Sequence, residues 1–164
     1  MTPMRVPDDL IARASVLIGA PFQAKGDTPE GWDCRGLTRW CLRTFSGIEV
    51  PDYLELYDAA IVSPAGGQER ARLLAQGLAS WRMVEPQAGV VAWLTWMGKA
   101  GHVGYMLTPR LVLHADSPMG TTLLDLDAPR SRYGLKGAFV PAFVTEIVEA
   151  RSRRPFGTSR PDAG

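Results

Sequence analysis

Between Gly89 and Val140 the chain is written as short apolar runs punctuated by turn formers, and this pattern restricts the fold more than any other feature. The runs are Gly89–Leu94, His102–Leu107, Leu111–Ala115, Thr121–Leu126 and Gly137–Val140. Segments of that length, bounded by Gly, Pro and Asp, read as strands. Gly98–Gly101 and Thr108–Arg110 serve as hairpin connections, and Pro129–Gly134 as a further turn. Connections this short only join antiparallel neighbours, so the second half is expected to be a meander. The first half keeps a helical period instead. Asp8–Ile18 places Leu10, Ala14, Leu17 and Ile18 on one face and ends at Gly19 and Pro21. After a Gly- and Pro-containing loop from Pro21 to Trp32, a second helix is expected over Cys34–Phe45, with Leu37, Cys41 and Phe45 facing inward. Asp33 stands where an N-cap belongs and Gly47 closes the helix. Pro51–Pro86 reads as mostly helical, with a turn at Tyr53–Ala60 and a helix over Gln68–Leu78. Helices followed by an antiparallel sheet define an α+β arrangement.

A length of 164 residues suits one domain, taken as residues 1–149. Residues 150–164 are basic and aperiodic and read as a mobile, solvated tail. Eighteen basic residues against seventeen acidic ones leave a net charge of +1, which argues against a nucleic-acid partner. No apolar run reaches transmembrane length, so no membrane partner is expected. Met1–Leu10 lacks the apolar segment of a secretory signal and carries Asp8 and Asp9. The expectation is therefore synthesis in the cytoplasm, with any outside target reached by another route. Cys34 and Cys41 on one helix lie roughly 10 Å apart along its axis, too far to form a disulfide.

Cys34 is the candidate nucleophile. A helix N-terminus stabilises a thiolate, and Gly36 leaves room for a substrate to approach the helix end. The chain has two histidines, His102 and His114. Both fall on one expected hairpin, with His102 opening its strand after Gly101 and His114 on the neighbouring strand. Cross-strand placement brings the two within reach of each other. A cysteine, an imidazole base and a polar group that orients the base make up a thiol hydrolase. Each residue also has a plainer reading, as a buried core thiol or as a satisfied structural histidine. A Cys/His/His zinc site is a third option, but spacings of 68 and 12 residues lack the short paired intervals of structural zinc modules. No metal or cofactor is therefore expected.

Two blocks carry a family resemblance. IGAPF…KGDTPEGWDCRGLTRWCLRTFSGIEVP and EPQAGVVAWL…GHVGYMLTPRLVLHA together resemble the NlpC family of cell-wall cysteine peptidases, over roughly Ala14 to Pro141. The resemblance implies a papain-like fold, with Cys34 as nucleophile, His102 as base and His114 as orienter. It further implies hydrolysis of peptidoglycan stem peptides at the γ-D-glutamyl–diamino acid bond. Phe22, Asp33 and Arg35 would line the substrate site. Three positions depart from the family pattern. Arg35 replaces the usual Ser after the nucleophile, and its cation is expected to favour the thiolate. Phe22 replaces a Tyr, and Val90 replaces the Asp of a Gly-Asp pair. Within the family the chain is most similar to the branch found in phage tails and gene-transfer particles, which implies phage-tail proteins as partners and delivery to the cell wall by the particle. The departures motivate two alternatives, an inert structural tail-tip subunit and an acyl-transferase or amidase on the same fold.

Overall fold

The computed structural model describes residues 2–55, 77 and 79–150. All but Gly77 of the helix expected over Gln68–Leu78, and the tail beyond Ala150, lie outside the described residues. Among the described residues the elements follow one another as β1 (Thr2–Pro7), α1 (Leu10–Ser15), β2 (Asp27–Thr28), β3 (Gly31–Trp32), α2 (Cys34–Ser46), β4 (Trp81–Val84), β5 (Val91–Trp96), β6 (Lys99–Met106), β7 (Leu111–Asp116), β8 (Gly120–Asp125), β9 (Tyr133–Pro141) and β10 (Val144–Ala150). Six strands form an antiparallel sheet in the order β4-β9-β5-β6-β7-β8. The expected meander is its β5–β8 portion. The α+β arrangement expected from the sequence is present.

Helix α2 is the element that the sheet supports. Leu37, Thr38, Cys41 and Leu42 are buried, and Leu37/Cys41, Thr38/Cys41 and Thr38/Leu42 stand at the three- and four-residue intervals of one helix face. That face lies across β6 and β7. Gly47 ends the helix in the left-handed conformation (φ 67°), which costs a residue without a Cβ nothing. Behind the helix, Ser46 Oγ lies 2.6 Å from the buried Tyr105 hydroxyl and donates to the Gly89 carbonyl at 3.2 Å. These bonds pin the far end of α2 to the sheet.

Several expectations need correction. Helix α1 stops at Ser15, because the next amides bond three residues back, Leu17 N–H to Ala14 and Ile18 N–H to Ser15. That tighter winding turns Ile18 out to 45% exposure. Within the stretch read as helical, Trp81–Val84 is an edge strand paired with β9. Strand β9 starts at Tyr133, inside the span assigned to a turn, and runs four residues further back than Gly137. The β5–β6 hairpin turns at Met97 and Gly98, both at positive φ (49° and 79°), as a two-residue connection. His102 consequently lies inside β6 and does not open it.

The parallel pair β1–β10 was not legible either. Met4 pairs with Ile147 and Val6 with Glu149 across almost the whole chain. Met4 and Val6 alternate into the core, but a six-residue segment carrying Pro3 and Pro7 gives a weak strand signal by itself.

Candidate active site

The first turn of α2 is built on a buried carboxylate. Asp33 is 1% exposed, and its two oxygens accept from two backbone amides, Oδ1 from Gly36 N–H at 2.8 Å and Oδ2 from Lys25 N–H at 2.9 Å. Its carbonyl accepts from Leu37 N–H at 3.0 Å. The N-cap role expected from the sequence is present. A substrate-binding role is not supported, because both oxygens are committed inside the protein. Asp33→Ala would leave two amides without a partner. It is expected to cost about 3 kcal/mol of stability, with Asp33→Asn in between, as read from chemical denaturation.

Arg35 also differs from expectation. Its guanidinium donates to the Asp52 carbonyl at 2.8 Å and the Lys25 carbonyl at 3.3 Å, and Nε lies 3.6 Å from Asp33 Oδ1. The side chain therefore ties two loops and the cap together. Of the influences on the Cys34 thiol, its positive charge is the weakest. Gly36 likewise opens no path for a substrate. A Cβ placed there would sit 1.9 Å from the Gly26 carbonyl oxygen, so the space is filled by the chain's own backbone.

Cys34 heads the helix, half-buried, with its sulfur within hydrogen-bonding reach of the backbone N–H groups of Val103 and Arg35. Val103 directly follows His102 on β6, so the thiol reaches the strand that carries the imidazole. Burial is the largest effect on the thiol and pushes it up to about 11, assisted by the Asp33 charge and opposed by the two amides and Arg35. The helix terminus does not leave a resting thiolate. Cys41 is fully buried and pushed up by burial as well, as befits a core thiol. Both cysteines are free.

The two histidines meet as expected. His102 Nε2 lies 2.8 Å from His114 Nδ1, with the rings edge to face and centroids 5.1 Å apart. Gly104 makes this possible: a Cβ there would approach Val112, Leu113 and the His114 Cβ. With Nε2 engaged by His114, His102 keeps Nδ1 for proton exchange. Burial is the main effect lowering His102 to about 4, His114 adds to it, and Asp116 opposes it. Burial lowers His114 too, again against Asp116. At neutral pH the site rests with neutral imidazoles and a protonated thiol.

Three residues of this cluster were missed in the sequence. Tyr133 packs on both imidazoles, with centroids 5.2 Å from His102 and 4.9 Å from His114, and its hydroxyl donates to Asp116 Oδ2. Burial raises its phenol well above the usual range, and Asp116 adds to the effect. Asp116 Oδ1 accepts from Ser117 N–H at 2.8 Å, so the carboxylate is held at both ends. Thr122 Oγ1 lies 3.2 Å from His114 Nε2. Asp116 and Thr122 carried a signal, Asp116 lying one residue past the expected strand of His114 and Thr122 on the next expected strand. Tyr133 carried none, because its segment read as a turn.

The loop before the nucleophile is anchored to the histidine side of the sheet. Trp32, fully buried, donates from Nε1 to Thr121 Oγ1 at 2.7 Å, while Gly19 N–H bonds the Thr121 carbonyl and Thr121 N–H the Ala20 carbonyl, each at 2.9 Å. Phe22 lies half-buried on this loop, bridged to Trp32. Among the described residues no group of three His, Cys, Asp or Glu side chains is arranged to hold a metal ion. No helix among them is long and apolar enough to cross a membrane.

No family model and no curated protein matches the sequence. Solved structures do. An NLP/P60-family protein similar to a lipoprotein, from Staphylococcus aureus subsp. aureus Mu50, superposes with a TM-score of 0.50 at 21% identity, over 85% of this chain and 43% of that one. The NlpC/p60 domain of the peptidoglycan hydrolase SagA gives a TM-score of 0.49 at 20% identity, over 79% of this chain and 94% of that one. The chain spans less than half the length of the staphylococcal protein. It has the fold of an NlpC/p60 domain, the papain-like α+β arrangement expected from the two sequence blocks.

Proposed function

We propose that this protein is a cysteine peptidase that hydrolyses peptidoglycan stem peptides, with Cys34 as nucleophile, His102 as general base and acid, and His114 as the group that orients His102. The observation that carries this reading is the His102–His114 pair, Nε2 to Nδ1 at 2.8 Å, on the strand whose Val103 amide reaches the Cys34 thiol at the start of α2. His102 Nδ1 takes the Cys34 proton as sulfur attacks the amide carbonyl, and then delivers it to the leaving amine. Water hydrolyses the resulting thioester, with His102 again acting as base. Gly36 and Leu37 N–H are spent on Asp33, and Arg35 N–H faces the thiol. This makes the backbone N–H of Cys34, at a helix position that has no carbonyl partner of its own, the donor for the oxyanion.

The peptidoglycan substrate is supported by the resemblance of the two sequence blocks. The finer assignment is the γ-D-glutamyl–diamino acid bond, with Phe22 and Arg35 at the edge of the substrate site. Carriage on a phage tail or gene-transfer particle, in contact with tail proteins, is part of the same proposal. It rests on the resemblance of PFQAKG and the Pro51-Asp52-Tyr53 stretch.

Incubation with purified muropeptides tests the reading. Mass spectrometry is expected to show two fragments whose masses sum to substrate plus water, with a new free amine on the diamino acid. Intact muropeptide would favour the inert tail-tip subunit, and transfer of the acyl group to an added amine would favour an acyl-transferase.

A further inference from the structure

The relay does not end at His114. His114 and Thr122 face each other directly in the β7–β8 ladder, and that register brings Thr122 Oγ1 to 3.2 Å from His114 Nε2. The other ring nitrogen, Nδ1, faces His102. We propose that Thr122 is a positioning residue that accepts a hydrogen bond from His114 Nε2–H and so fixes the tautomer through which His114 orients His102.

The argument follows the protons. A neutral imidazole carries one N–H, and the bond made by one nitrogen decides which. If His114 holds its proton on Nε2, its Nδ1 is an acceptor. His102 then donates from Nε2–H and presents a bare Nδ1 to the thiol, the form able to act as base. If His114 holds its proton on Nδ1, the chain reverses: His114 donates to His102 Nε2, the His102 proton sits on Nδ1, and no lone pair faces Cys34. One hydroxyl therefore selects between a competent and an incompetent base. Thr122 is the polar group at Nε2. Among the described residues, the other ring and charged groups acting on His114 are His102 on β6, the Tyr133 ring on β9 and Asp116 on its own strand. Tyr133 meets the ring edge to face, and its hydroxyl is spent on Asp116.

This proposal rests on the catalytic reading for its kinetic consequence only; the tautomer is a property of the folded protein. The chain has two histidines, so the imidazole region of a ¹⁵N spectrum contains two ring systems. Long-range ¹H–¹⁵N correlation at neutral pH is expected to show His114 protonated on Nε2 in the wild type and in Thr122→Ser. In Thr122→Val it is expected on Nδ1, with Thr122→Ala as a second variant lacking the acceptor. With a muropeptide substrate, Thr122→Val should lose roughly tenfold in kcat, the scale of one hydrogen bond, with KM unchanged and recovery in Thr122→Ser. His114 protonated on Nδ1 in the wild type overturns the proposal, as does an unchanged tautomer in both variants lacking the hydroxyl. A changed tautomer with unchanged kcat overturns its kinetic part. A wild type that cleaves nothing overturns the peptidase reading alone, since the spectrum still decides the tautomer.

Discussion

If Cys34 is the nucleophile proposed above, Cys34→Ala is expected to abolish muropeptide hydrolysis, by at least about 10⁴-fold, and to leave the denaturation midpoint close to that of the wild type. The contrast arises because the thiol is a small, half-buried group whose described partners are two backbone amides, so its removal opens little space. The cap, the Trp32 anchor and the Arg35 ties all survive the substitution. Retained hydrolysis would remove the nucleophile from the mechanism. The same assay in the wild type reads the protonation states. His102 must be neutral to accept a proton, so kcat/KM falls as pH drops through about 4. The attacking thiol starts protonated up to about 11, so no acidic thiolate limb is expected between those values. A profile rising with a midpoint near the ordinary cysteine range of about 8.5 would mean that the thiol ionises freely before attack. That result would contradict the buried, neutral pair described above.

Gly36→Ala is expected to have the largest effect on the fold and on activity together. Intrinsic helix preference predicts the opposite sign, a gain of about 1 kcal/mol on replacing Gly by Ala in a helix. Sterics decide otherwise. The added methyl would lie 1.9 Å from the Gly26 carbonyl oxygen and 2.8 Å from Asp27 Cα, both backbone atoms that cannot rotate aside. Either the turn at Gly26 or the first turn of α2 has to move. Overpacking of this kind costs about 3 kcal/mol, which outweighs the propensity gain. Displacing the cysteine by even about 1 Å from its partners lowers kcat by roughly a hundredfold. Thermal or chemical denaturation checks the first number and muropeptide turnover the second. A more stable Gly36→Ala protein would show that the contact with Gly26 is not close in solution.

Much of the site was readable because its chemistry is local. A carboxylate immediately before a helix is a cap whatever the rest of the chain does, so Asp33 and the start of α2 followed from composition and spacing. The two histidines fell on one hairpin, and the period of two along strands put them on one face. Within the site, the readings that needed revision depended on neighbours ten or more residues away in the chain. Arg35 read as a cation that favours the thiolate, and it does so, but as the weakest influence, while its guanidinium donates to the Asp52 and Lys25 carbonyls. Gly36 read as open space until the Gly26 turn folded onto it. Tyr133 read as part of a turn because its strand becomes a strand by pairing with β5.

By itself, the sequence determined the order of helix and sheet, the helix start that carries Cys34 and the pairing of His102 with His114. These follow from hydrophobic period, capping and turn chemistry, each of which acts over a few residues. Only the tertiary structure decided that the thiol rests protonated, that Arg35 and Gly36 serve the scaffold, and that Tyr133, Asp116 and Thr122 enclose the imidazoles. The physical reason is that burial and close approach are set by segments remote in sequence, and those set the protonation states on which the proposed chemistry depends.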